Sequence, residues 1–80
     1  MTAYINYLLH RIHQDQEFYV EIRDRMLCLD REWVLCQFLR ERLWSRYGHG
    51  IGVNDSWYLF SALCSFMETT GDLSPGWQIF

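Results

Sequence analysis

The sequence has 80 residues, the size of one small domain, and half of them are hydrophobic. Its net charge is −3 at pH 7, from ten acidic residues against seven basic ones, all of which are Arg. This balance disfavours nucleic acid as a partner, because non-specific affinity for nucleic acid comes from cations that neutralise phosphates.

The first two predicted helices, over residues 2–13 and 15–28, each have one apolar face. Asp15 is the predicted N-cap of the second helix, because a short side-chain oxygen can accept a hydrogen bond from the first turn. The apolar face of the first helix consists of Tyr4, Ile5, Leu8, Leu9 and Ile12, and that of the second consists of Phe18, Tyr19, Ile22 and Met26.

The third predicted helix covers residues 30–47, with Asp30 as its N-cap and glycine from position 48 onwards as its stop. At 100° per residue its apolar side chains form two separate arcs, so we expect this helix to be covered on two sides. One arc contains Trp33, Cys36, Leu39, Leu43, Trp44 and Tyr47; the other contains Val34, Leu35 and Phe38, flanked by Arg31 and Arg42.

The fourth predicted helix covers residues 55–70, with Asn54 as its cap and Gly71 as its stop. Its only polar surface is a narrow strip of Ser61, Ser65, Glu68 and Thr69, which is typical of a central helix. A short hydrophobic tail over residues 72–80 follows. We therefore predict one domain, residues 1–80, of the all-α class: a compact four-helix domain with a central apolar fourth helix and this C-terminal tail.

The sequence indicates a cytoplasmic setting. Its N-terminal residues lack the basic start and the uninterrupted apolar stretch of a secretory signal. Three Cys residues without a CxxC pair are typical of free thiols in a reducing compartment. The apolar run over residues 57–67 is shorter than the about 20 residues that span a bilayer, so we expect no membrane contact.

Residue groups that could carry chemistry are few, and each has a simpler structural interpretation. His10 and His13 are spaced for a shared metal ion but belong to a solvated helix face. Cys28, Cys36 and His49 match no usual zinc spacing, and the glycines of residues 48–52 lack the Lys of a phosphate-binding loop. No nucleophile, base and acid stand in a recognisable pattern. We therefore predict no enzymatic activity, no metal and no cofactor.

The first two helices have only one apolar face each. They offer too little apolar surface to cover the third and fourth helices completely. We therefore expect an apolar face to remain for a partner, and Trp, Tyr and Arg dominate such faces. The predicted partner-binding residues are Arg31, Val34, Leu35, Phe38, Arg42, Arg46, Trp77, Ile79 and Phe80. An alternative anchor is Trp33, Trp44 and Tyr47 with Arg40.

These features predict a small protein-interaction module that acts sterically, as a regulator or inhibitor, on a larger protein partner. Small regulators of this kind are common among phage and plasmid accessory genes. One alternative is a helical DNA-binding regulator that uses Arg31, Arg42 and Arg46 of the third helix. Another is a structural homodimer without a further partner.

Overall fold

The computed structural model describes residues 2–28 and 31–74, and within these ranges the chain forms four α-helices and no strand. Helix α1 covers Thr2–Gln14, α2 covers Gln16–Leu27, α3 covers Glu32–Tyr47 and α4 covers Val53–Thr70. The predicted all-α fold with four helices is therefore confirmed.

Local geometry confirms the predicted start of α2 at Asp15 and the predicted stops of α3 and α4 at Gly48 and Gly71. The side chain of Asp15 accepts a hydrogen bond from the backbone N–H of Phe18 and so caps α2. Gly48 and Gly71 follow α3 and α4 with φ angles of 66° and 86°. Glycine adopts this left-handed conformation without the steric cost that a side chain brings, which is why both helices end at these positions.

The predicted cap of the fourth helix is wrong. Asn54 lies inside α4, because the helix begins at Val53, two residues before the predicted start at residue 55, and the backbone of Gly52 occupies the N-cap position. Asp30, the predicted cap of the third helix, lies outside the described residues. Arg31 is the N-cap residue of α3 and makes no capping hydrogen bond with its side chain.

The four helices share one core. Each helix packs against the next one in sequence, and α4 also packs against α1. The core draws on every helix and on Leu73 beyond the end of α4. Its largest fully buried side chains are Leu8, Ile12, Phe18, Ile22, Met26, Leu35, Leu39, Leu43, Leu59, Phe60, Leu63 and Met67.

Helix α4 packs mainly against α1 and α3 and keeps one face open to solvent. The predicted polar strip supplies most of this open face, since Ser61, Ser65 and Thr69 are exposed. Glu68, which was predicted for the same strip, is half-buried, whereas the apolar ring of Tyr58 is 62% exposed. The open face is therefore broader and less polar than the sequence predicts.

The two predicted arcs of α3 divide differently in the structure. Leu35, predicted for the partner-facing arc, is only 2% exposed and lies in the core with Cys36 and Leu39. Trp33 and Trp44, predicted for the other arc, are 58% and 65% exposed. The core-facing side of α3 combines Cys36, Leu39 and Leu43 of the first arc with Leu35 of the second, and α3 packs against both α2 and α4.

Candidate functional site

The cationic residues predicted for the partner-binding surface are largely engaged within the chain. Arg42 pairs with Glu21 of α2, with Nη2 at 3.1 Å from Oε1. Arg46 holds the carboxylate of Asp15, with Nε at 2.7 Å from Oδ2. Both guanidinium groups therefore brace α3 against the α1–α2 side of the domain. Arg31 is exposed.

The apolar members of that predicted surface are also partly covered. Val34 is half-buried, and Phe38 is half-buried against the core. The guanidinium of Arg25 lies 5.1 Å from the centroid of the Phe38 ring, an arrangement that favours a cation–π contact. The predicted tail residues Trp77, Ile79 and Phe80 lie outside the described residues.

A different surface on α3 combines exposed aromatic rings with Arg. Trp33 and Trp44 are eleven residues apart, which is about three helical turns, so they lie on nearly the same face about 16 Å apart along the axis. Gln37 and Arg40 lie between them at helical spacing, and both are exposed. We call the concave surface along these four residues the tryptophan groove; its opposite wall is formed by Ile51, Val53 and Trp57.

The tryptophan groove contains two adjoining hollows that share Gln37 and Arg40. The first, about 200 Å³, lies between α3 and the first turns of α4. The second, about 390 Å³, lies between α3 and the loop that follows it. Besides the two shared residues, the first is lined by Trp33, Cys36, Val53, Ser56 and Trp57, and the second by Glu41, Trp44, Gly50 and Ile51.

The loop wall of the groove is fixed by hydrogen bonds to its backbone. The hydroxyl of Tyr4 donates to the carbonyl oxygen of Gly50 at 3.0 Å and lies 3.3 Å from Nδ1 of His49. Arg40 Nε donates to the carbonyl oxygen of Ile51 at 3.4 Å. These bonds tie the loop to both α1 and α3, so the groove has defined walls before any partner arrives.

The groove carries one cation and one anion, Arg40 and Glu41, and neither forms an ion pair within the described residues. Arg40 bonds only to a backbone carbonyl, and no carboxylate pairs with it within residues 2–28 and 31–74. Glu41, next to it, likewise has no ion-pair partner in the described part of the chain. A partner surface with both signs of charge would therefore complement the groove.

Two small buried side chains, Cys36 and Ser56, line the first hollow. Cys36 is buried, and its Sγ lies 3.9 Å from the carbonyl oxygen of Ser56. Burial raises the pKa of the Cys36 thiol, so the thiol stays protonated and unreactive at neutral pH. The Ser56 hydroxyl, fully buried, donates to the carbonyl oxygen of Val53 at 2.6 Å. The Cys36 and Ser56 side chains are therefore both engaged inside the protein, and the two Trp side chains with Val53 give the hollow its apolar lining.

Tyr47, named with the two Trp residues as an alternative anchor, belongs to a different cluster. Its hydroxyl donates to Asp15 Oδ2 at 2.7 Å, and its ring packs edge-on against Phe18. The guanidinium of Arg11 lies 4.1 Å from the ring centroid on another side. Burial, together with the Asp15 carboxylate, raises the pKa of Tyr47 to about 12. Its role is therefore to hold helices together.

The residues considered for metal binding are not brought together. His13 packs its ring against Tyr19 and Phe66, with the His13 and Phe66 centroids 4.7 Å apart. Cys28 is an exposed free thiol, whereas Cys36 is buried. Across residues 2–28 and 31–74, no three His, Cys, Asp or Glu side chains are grouped so that they could hold a metal ion.

Comparisons with protein-family models, with curated proteins and with solved structures found no match for this chain. No helix among the described residues has the length and apolar character needed to cross a bilayer.

The sequence indicated part of this groove and missed the rest. Trp33, Arg40 and Trp44 were already visible as an alternative anchor because they recur at helical spacing. Gln37 could have been found by the same spacing. The opposite wall could not, because Ile51, Val53 and Trp57 meet α3 only through the path of the loop and the start of α4.

Proposed function

We propose that this chain is a small protein-interaction module whose binding surface is the tryptophan groove. It acts sterically, as a regulator or inhibitor, by placing its compact helical body against another protein chain. The proposed setting is the cytoplasm, which the exposed free thiol of Cys28 supports.

The observation that carries the proposal is the exposure of Trp33 and Trp44 beside hollows that a partner can fill. At about 250 Å² for a whole Trp side chain, the two residues leave about 300 Å² of largely apolar surface in water. Covering it favours association by about 7 kcal/mol before the costs of binding are subtracted. Trp and Arg are also the residues that most often dominate binding energy at interfaces.

The DNA-binding alternative has less support from the structure. Arg42 and Arg46 would have to leave the carboxylates of Glu21 and Asp15 before they could neutralise phosphates. The remaining candidate, Arg31 at the N-cap of α3, is exposed, but the chain as a whole has a net charge of −3. Binding to duplex DNA that weakens steeply as salt is raised would favour this alternative over the groove.

The test compares three forms of the tagged chain: the natural sequence, Trp33→Ser with Trp44→Ser, and Tyr58→Ser. Tyr58 is a matched control because its ring is as exposed as the Trp rings but lies outside the groove lining. Each form is used to capture proteins from the cell that encodes it, and each is also assayed for self-association.

We expect protein binding to be lost in the double Trp variant and retained in Tyr58→Ser. Circular dichroism checks that all three forms keep their helices. A chain that binds protein equally well without its two Trp rings would contradict the proposal, and so would a chain that binds no protein at all.

A further inference from the structure

We propose that the tryptophan groove binds an amphipathic helix of its protein partner, with two large apolar side chains four positions apart and an acidic side chain between them. The apolar side chains enter the two hollows, and the acidic side chain pairs with Arg40. This inference rests on the proposed function, in which the groove is the binding surface of the chain. It adds the chemistry of the segment that the groove binds.

The first argument is charge, and it comes from comparing three Arg residues of one helix. Arg42 directs Nη2 to Glu21 Oε1 at 3.1 Å, and Arg46 directs Nη2 to Asp15 Oδ1 at 2.9 Å. Arg40 bonds through Nε to a loop carbonyl oxygen, and its two Nη groups have no partner in the described part of the chain. Arg40 is thus the one of these three that can still bind a carboxylate of a partner.

The position of Arg40 in the groove supports an acidic partner. Arg40 lines both hollows, and no acidic side chain of the described residues lines the first of them. Glu41 lines only the second hollow, and consecutive residues of a helix do not face each other. A partner carboxylate therefore reaches Arg40 from the side of the first hollow. A basic residue of the partner can pair with Glu41 at the second.

The second argument is the spacing of the two hollows. On α3, the first hollow is lined at positions 33, 36, 37 and 40, and the second is lined at positions 37, 40, 41 and 44. The second set is the first set shifted by four residues, which is about 6 Å along the helix axis. Two side chains four positions apart on a partner helix that runs alongside α3 have the same separation. One face of such a helix can therefore fill both hollows at once.

The shared position of Arg40 favours a helical partner over an extended one. Because Arg40 belongs to both hollows, the acidic side chain has to lie between the two apolar side chains. In an extended segment, side chains about 7 Å apart on one face are separated by a residue that points to the opposite face. In a helix, the residues one and three positions after the first apolar residue flank the apolar face, so either can carry the carboxylate.

The dimensions of the groove suit a short helix. Trp33 and Trp44 lie about 16 Å apart along the axis of α3, which is the length of about eleven helical residues. Both Trp residues and Val53 are more than half exposed, so they offer apolar contact along this length. The opposite wall is held by hydrogen bonds from Tyr4 and Arg40 to the loop. The partner therefore meets a preformed shape, which lowers the cost of ordering on binding.

The experiment begins with a selection from two display libraries. The first library randomises the outer helix of a stable helical hairpin, and the second randomises linear peptides of the same length. Each library is selected on the natural chain and then depleted on the Trp33→Ser, Trp44→Ser variant, so that the retained sequences depend on the groove. We expect the helical library to be enriched. Its retained sequences should share two large apolar residues four positions apart, with Asp or Glu between them.

A charge exchange then tests the contact with Arg40. For a retained helix, Arg40→Glu should raise the dissociation constant about tenfold or more, measured by fluorescence anisotropy of the labelled helix. Changing the acidic residue of that helix to Arg should weaken binding to the natural chain and restore binding to the Arg40→Glu variant. Circular dichroism checks that each variant is folded.

The matched control is Arg31→Glu, which makes the same change in net charge on the same side of the sequence of α3. Arg31 is exposed and lines neither hollow. The dissociation constant of the retained helix should therefore be unchanged in Arg31→Glu. An equal loss of binding in the two Glu variants would show a general effect of charge and would count against the contact with Arg40.

The inference would be overturned if the retained sequences lacked the acidic residue, or if the Arg40→Glu variant bound them as tightly as the natural chain. Retention of linear peptides alone, or of no sequence, would overturn it as well. So would a natural chain that dimerises in sedimentation velocity and loses the dimer in the double Trp variant, because a second copy would then fill the groove. Capture of a cellular protein that needs Trp33 and Trp44 but is unaffected by Arg40→Glu would overturn this inference and leave the proposed function intact.

Discussion

Arg46 holds the carboxylate of Asp15 with two hydrogen bonds, from Nε to Oδ2 at 2.7 Å and from Nη2 to Oδ1 at 2.9 Å. Asp15 is the single residue between α1 and α2, and Arg46 lies in the last turn of α3. The hydroxyl of Tyr47 donates a third bond, at 2.7 Å. One carboxylate therefore fixes the end of α3, the point from which the loop wall of the tryptophan groove departs.

Replacing Asp15 with Asn tests this carboxylate through the pH dependence of stability. The hydrogen bonds from Arg46 and then from Tyr47 hold the pKa of Asp15 well below its usual value. A lowered pKa in the folded state means that the carboxylate stabilises the fold above the unfolded value, near pH 4, and that this stabilisation is lost as the pH falls further. At neutral pH the free energy of unfolding, measured in urea, should therefore be higher for the natural chain than for the Asp15→Asn variant. The difference between the two should shrink as the pH falls below about 4.

Two variants serve as controls for that comparison. Asp15→Ala removes the N-cap as well as the charge, whereas Asn keeps a capping oxygen. The Ala variant should therefore be the less stable of the two, with a free energy of unfolding about 2 kcal/mol below that of the natural chain. Asp24→Asn removes a carboxylate that forms only an exposed pair with Arg23, and it should change stability by well under 1 kcal/mol. The role of the charge would be contradicted if the Asp15→Asn variant stayed less stable than the natural chain by the same free energy of unfolding down to strongly acid pH.

Tyr47→Phe tests the hydrogen bond between the Tyr47 hydroxyl and Asp15 at alkaline pH. Burial and the Asp15 carboxylate raise the Tyr47 pKa to about 12, so the folded chain holds this proton when the unfolded chain has lost it. The hydroxyl therefore makes its full contribution to the stability of the fold below the usual tyrosine pKa of about 10. This stabilisation is lost as the pH rises from there towards 12. Denaturant titrations should show the natural chain losing stability over this interval faster than the Tyr47→Phe variant.

The ultraviolet absorbance of tyrosinate gives a second measurement of the same group. The difference between the titration curves of the natural chain and Tyr47→Phe should be centred near pH 12. Tyr58→Phe, which removes the hydroxyl of a 62% exposed ring, controls for the loss of one tyrosine from the curve. A difference curve for Tyr47 centred at the ordinary tyrosine value would show that its hydroxyl is free in solution.

The local features of this fold could be predicted from the sequence because each depends on a few neighbouring residues. A short acidic side chain before an apolar periodic segment predicts an N-cap, and Asp15 caps α2. Glycine after such a segment predicts a left-handed stop, and Gly48 and Gly71 both provide one. The start of α4 was misplaced because Gly52 supplies backbone conformation alone and leaves no side-chain signal to distinguish it from Asn54.

The interaction surface could not be predicted to the same extent, because it depends on how helices are placed against one another. Helical spacing groups the apolar residues of α3 but does not say which group the neighbouring helices cover. Leu35 became core and Trp33 became surface for that reason. The pairing of Arg42 with Glu21 spans 21 positions, and that of Arg46 with Asp15 spans 31, so both arise only in the folded chain.

The two exposed Trp residues should contribute little to the stability of the monomer. Because more than half of each ring is in water, Trp33→Ser and Trp44→Ser should each lower the free energy of unfolding by about 1 kcal/mol or less. Leu63→Ala, at a fully buried position of α4, should cost about 2–5 kcal/mol. The measurement is chemical unfolding at a concentration at which the chain is monomeric, since association would add to apparent stability. Trp variants as damaging as Leu63→Ala would mean that these rings belong to the core.

Gly48→Ala and Gly50→Ala form a matched pair that tests how the loop wall of the groove is set. Both glycines have open space where a Cβ would stand, but only Gly48 adopts a positive φ, at 66°. Alanine at position 48 should therefore cost about 1–2 kcal/mol through backbone strain. Alanine at position 50 should be neutral or stabilise by up to about 1 kcal/mol, because it restricts the unfolded chain. The same urea titration measures both, and equal costs would contradict the left-handed turn that returns the chain from α3 towards α4.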